Sequence, residues 1–117
     1  MASRLLRADA FEEDLDGALD YLSSALARPQ SAAKLLDGIR AAESLLADFP
    51  LMNPVASLAS ATGHEYRKHH VGAYVIVYTV TDDAVVFLRL FHQAQDYGSM
   101  LARVVPAGLL GDNDESS

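Results

Sequence analysis

The sequence comprises 117 residues, half of them apolar, with a formal net charge of −7 and no cysteine. This length fits one domain with a modest core, the missing cysteines exclude a disulfide framework and any thiolate metal site, and the acidic balance argues against bulk electrostatic attraction to nucleic acid. No run approaches the roughly 20 apolar residues of a membrane span, and the opening MASRLLRADAFEED lacks the apolar core of a signal peptide, so a cytoplasmic protein with no membrane partner is expected.

Ser3 to Arg7 alternates loosely and precedes a helix start, which predicts a short first strand. A helix follows with Asp9 as its N-cap and acids crowding its first turn. Phe11, Leu15, Ala18, Leu19, Leu22 and Leu26 recur at helical spacing as one apolar stripe. Arg28-Pro29 breaks it, and a second helix carries Leu35, Ile39, Ala42, Leu46 and Phe49 before Pro50 ends it. Two helices joined by a short turn read as an antiparallel hairpin with both stripes facing one way. Residues 50–63 form a long loop rich in Ser, Ala, Pro and Asn.

The strand signal is concentrated between His64 and Tyr97, a stretch that also holds all four histidines. Tyr66 to Val71 is the first strand of this region, and Gly72-Ala73 is a tight turn. The next strand sends Tyr74, Ile76, Tyr78 and Val80 to one face and Val75, Val77 and Thr79 to the other. After the Asp82-Asp83 turn, Val86, Leu88 and Leu90 are expected on one side and Val85, Phe87 and Phe91 on the other, interrupted by Arg89. Both faces are apolar, so the face away from the helices needs cover from a partner or from another part of the chain. Residues 1–110 read as a single domain, and residues 111–117 as an acidic tail expected to be disordered.

Four segments, EEDLDGALDYL, SAAKLLDGIRAAESLLADFP, YRKHHVGAYVIVY and VVFLRLFHQAQDY, together resemble the RelE/ParE superfamily of type II toxin-antitoxin toxins. The pattern is carried by Tyr66-Arg67, Val71-Gly72, Tyr74 to Tyr78, Arg89 to His92 and Asp96. The resemblance implies an α+β fold in the order β-α-α-β-β-β, an antiparallel sheet with a two-helix hairpin packed on one face. It also implies a toxin held silent by a cognate antitoxin, with operator DNA reached through the antitoxin. Such antitoxins wrap the toxin with helices and extended segments, which would cover the apolar face.

Mechanism divides the superfamily. Members resembling RelE cleave messenger RNA on the ribosome, which needs cations at the pentavalent phosphate and a general acid and base. The residues of this chain that would serve are Lys68, His70, Arg89, His92 and Tyr97. Members resembling ParE poison DNA gyrase. This chain sits nearer the second group: Val75 stands where many nuclease members have an arginine, and Gln93, Ala94 and Gln95 stand where they often have basic residues. On the gyrase reading, Arg67, Val75, Val77, Phe87 and Asp96 are the candidates for contact with target or antitoxin. A third reading is a toxin-fold protein that has lost toxicity and survives as a binding partner of its antitoxin. No metal and no cofactor are expected on any of these readings.

Ordinary explanations stand beside these roles. Arg67 and Lys68 alternate faces, so at most one points to a given surface. Arg89 has an ion pair with Asp96 or a helix carboxylate as its structural alternative. His92 precedes a polar turn, Tyr74 and Tyr78 suit a core, and the acidic first helix suits a solvated face.

Overall fold

The computed structural model describes residues 3–56 and 65–93. Strand β1 spans Arg4–Arg7, helix α1 Asp9–Asp20 continuing into a π-helical turn at Tyr21–Ala25, helix α2 Pro29–Asp48, and strands β2, β3 and β4 Arg67–Val71, Tyr74–Val80 and Ala84–His92. The sheet order is β1-β4-β3-β2. The last three strands are an antiparallel meander, whereas β1 lies parallel to β4 with Leu5 opposite Val85. The α+β architecture is the one expected, and the sheet is mixed because the helical hairpin returns the chain to the far edge. A parallel neighbour requires such a crossover.

The start of α1 differs in detail from the expectation. Ala8 is the cap residue, Asp9 is the first helical residue, and no side chain caps the helix. Asp9 and Glu12 therefore act on the dipole of the first turn, and Ala8 N–H donates to Phe87 O at 2.8 Å, tying the helix entry to β4. At the other end the Ser23 hydroxyl donates to Leu19 O at 2.7 Å. This competes with the helical ladder where the coil widens to a π turn. Pro29 opens α2 with its φ already set.

The hairpin stripes bury Phe11, Leu15, Leu35, Ile39, Ala42 and Leu46 against Ile76, Tyr78, Val85, Phe87 and Leu90 of the sheet. Phe49 does not belong to this core. It lies beyond the last residue of α2 and is 60% exposed. Gly38 lets α2 approach the sheet, since a Cβ there would collide with Val71 Cγ1. Gly72 closes the β2–β3 turn at φ +57°.

A β-bulge corrects the expected faces of β4. Val77 pairs with Arg89 but Tyr78 pairs with Phe87, so Leu88 is an extra residue. The side-chain period slips by one at that point. Val85, Phe87 and Leu90 consequently share the helix side. Phe87 is thus a fully buried core residue between Phe11 and Tyr78, its ring centroids 5.3 and 6.4 Å from theirs.

The second correction concerns the face away from the helices. Val75, Val77, Leu88 and Phe91 are buried within the chain itself, at 0 to 1% exposure. At the β1 edge of the same face Leu6 is 41% exposed and Val86, its partner, is half-buried, so the burial is confined to the centre of the sheet. The acidic tail and the far part of the 50–63 loop lie outside the described residues.

Candidate functional site

Strand register decides which of the candidate residues can work together. On β2, Arg67, His69 and Val71 pair with Tyr78, Ile76 and Tyr74, and so stand on the helix side. Lys68 and His70 pair with Val77 and Val75, on the opposite side. His92, at the end of β4, pairs with Tyr74 and meets its ring edge-on at 5.2 Å, which puts it on the helix side. Lys68 and His70 are therefore separated from His92 by the thickness of the sheet.

Arg89 is held by a helix carboxylate, the structural alternative named for it. Its Nε donates to Asp14 Oδ2 at 2.7 Å and its Nη2 to Asp14 Oδ1 at 3.0 Å, a bidentate pair with side-chain exposures of 12% and 19%. The guanidinium also lies 5.1 Å from the Phe91 ring centroid. Asp14 Oδ2 further accepts the Leu90 N–H at 2.9 Å. Since β1 pairs only as far as Phe87, this carboxylate satisfies a backbone donor on the stretch of β4 that β1 does not reach. Arg89 Nη1 is buried without a hydrogen-bond partner. Its charge is spent on the fold.

Arg67 has a comparable structural task. Its Nη1 donates to the Asn53 carbonyl, while Asn53 Nδ2 donates to Tyr78 Oη at 3.0 Å and lies 3.0 Å from His69 Nδ1. The Tyr78 hydroxyl in turn donates to Pro50 O at 3.2 Å. These contacts clamp residues 50–56 onto β2 and β3, helped by an antiparallel bridge of Val55 with Arg67. Burial, and then the neighbouring His70 charge, hold the His69 pKa below its ordinary value. Burial raises the Tyr78 pKa, against the opposing pull of Asn53 and Arg67.

Of the binding candidates, Val75 and Val77 are fully buried and Phe87 is core, so none offers surface to another molecule in this conformation. Asp96 and Tyr97 lie outside the described residues. Among the described residues, no group of three His, Asp or Glu side chains is placed to hold a metal, and no helix is long and apolar enough to cross a membrane.

Two residues that matter here, Asp14 and Asn53, were not singled out from the sequence. Asp14 could have been: it lies three residues after Phe11 and four before Ala18, on the flank of the apolar stripe. Asn53 carried no local signal, because its partners Arg67, His69 and Tyr78 lie 14 to 25 residues further along the chain.

A family model described as the ParE toxin of type II toxin-antitoxin system, parDE, matches residues 5–97. The chromosomal ParDE toxin-antitoxin system from P. aeruginosa is similar in structure, with TM-score 0.62 and 17% identity over 78% of this chain and 96% of that one. The E. coli DinJ-YafQ toxin-antitoxin complex is similar at TM-score 0.47 and 16% identity, over 80% of this chain and 96% of that one. No curated protein sequence matches.

Proposed function

Because the chain belongs to the ParE toxin family of type II toxin-antitoxin systems, we propose that it acts by binding a protein target, DNA gyrase, and that a cognate antitoxin silences it. The observation that carries this reading is the dispersal of the alternative chemistry. A ribonuclease mechanism needs a cation and an acid-base pair converging on one phosphate. Here Arg89 is neutralised by Asp14, and Lys68 and His70 stand across the sheet from His92. Tight binding of a protein surface needs no such convergence. The solved P. aeruginosa relative is a ParDE toxin-antitoxin system with the same fold, which supports an antitoxin partner here; on this reading operator DNA is reached through that partner.

The test titrates the purified chain into two reactions: gyrase acting on relaxed plasmid, and a translating extract read by primer extension on the message. The expected outcome is loss of supercoiling with accumulation of cleaved DNA, and intact message. Ribosome-dependent cuts in the message that disappear in Lys68→Ala with His92→Ala would replace this reading with the nuclease one. Inactivity in both reactions would leave a toxin fold that serves only as a partner of its antitoxin.

A further inference from the structure

An apolar cleft of about 450 Å³ opens where the tip of the helical hairpin faces the β2–β3 turn. Leu22, Leu35, Val71 and Tyr74 are among the residues that line it, together with Tyr21 and Leu26, which are 55% and 38% exposed. Three backbone features build it. The π-helical turn at Tyr21–Ala25 interrupts the regular helix at Tyr21. Ala27, at φ +51°, turns the chain sharply enough that Arg28 N–H closes back on Leu22 O at 2.7 Å. Gly38 admits Val71 where a side chain would push β2 away.

The charges on this cleft are distinctive within an acidic protein. Arg4, Arg7, Arg40 and Arg89 each face a carboxylate, and Arg67 is held by the Asn53 carbonyl. Arg28 and Lys34, by contrast, make no ion pair among the described residues, and both line this cleft. In a chain of net charge −7, an apolar recess flanked by two uncommitted cations is complementary to an apolar group flanked by negative charge.

We propose that this cleft is a docking site for a segment of another protein that presents a bulky apolar anchor flanked by carboxylates. The anchor fills the space between Tyr21, Leu26 and Tyr74, and the flanking carboxylates meet Arg28 and Lys34. A nucleic-acid backbone would satisfy the two cations but leave the apolar lining wet, so the occupant is a protein. The inference concerns binding alone and does not depend on the choice between gyrase and ribosome as target.

The experiment uses the full chain and a short fluorescein-labelled peptide with a Leu-Phe-Leu anchor between Asp-Glu pairs, alongside the same anchor between Lys-Arg pairs. Fluorescence anisotropy should show binding of the acidic peptide only, weakening as salt rises. Arg28→Glu with Lys34→Glu should weaken it roughly tenfold or more. Tyr21→Ala should also weaken it, with the unfolding midpoint of each variant unchanged. Benzoylphenylalanine in place of Leu26 should photo-crosslink to the peptide. Equal binding of both peptides, binding of neither, or an unaffected Arg28/Lys34 variant overturns the proposal. So does a crosslink that persists under excess peptide and maps to the chain's own residues beyond 93, or to a second copy of the chain.

Discussion

One carboxylate, Asp14, decides what Arg89 can do, because it takes two guanidinium donors and the Leu90 N–H together. Removing it strands a largely buried cation and a backbone donor. We therefore expect Asp14→Ala to lose about 3 kcal/mol in urea unfolding, well beyond a surface ion pair. Asp14→Asn keeps an acceptor for Leu90 and should lose less; equal losses would show that the Leu90 bond contributes nothing. His69 gives a pH signature. With Asn53 Nδ2 as donor, Nδ1 is the acceptor and the ring is neutral, and its folded pKa lies below the ordinary value near 6.5. As pH falls through about 6.5 the unfolded chain takes the proton first, so the unfolded state binds more protons and stability declines with it. The decline continues until the folded ring is itself protonated. Urea unfolding at pH 7.5 and 5.5 should show a smaller acid loss in His69→Gln than in wild type. An identical loss would remove His69 from the account.

At the scale of elements, two irregularities decide more than the regular stretches do. The bulge at Leu88 turns β4 over partway along, sending Phe87 and Leu90 to the same core although they are three residues apart. A strict alternation read from the sequence put them on opposite faces, and no residue in VVFLRLF marks where the extra one is inserted. The hairpin tip is the second irregularity. Ala27 sits in the left-handed region at φ +51°, where a non-glycine residue costs about 1–2 kcal/mol. Glycine removes that cost and adds about 0.5–1 kcal/mol of backbone entropy loss. Ala27→Gly should therefore raise the melting temperature by a few degrees at most. A lowered melting temperature would show that the tip is unstrained. The helices themselves were legible, since the stripe from Leu35 to Leu46 lands in the core as spaced, and Pro29 and the stop before Pro50 fall where local sterics require.

For the whole molecule, the consequence is that the centre of the sheet is buried on both sides, and among the described residues the exposed large apolar groups lie at its β1 edge on Leu6, at the hairpin tip on Tyr21 and Leu26, and on Leu45, Phe49, Leu51, Met52 and Val55. A partner that meets the chain through apolar contact has these exposed groups available to it, and the supercoiling test asks whether gyrase is such a partner. Hydrophobic period, proline placement and turn residues by themselves determined the element order and most of the two helical stripes, because each of these acts over a few neighbouring residues, while the family came from the resemblance of four segments taken together. The grouping of candidate residues into a site is different in kind. Lys68, His70, Arg89 and His92 lie within one short stretch of sequence, yet alternation splits Lys68 and His70 from His92, and an acid 75 residues before Arg89 disarms it. Only the tertiary structure decided this, because register, a single-residue bulge and a long-range ion pair depend on which strands and helices come to lie side by side.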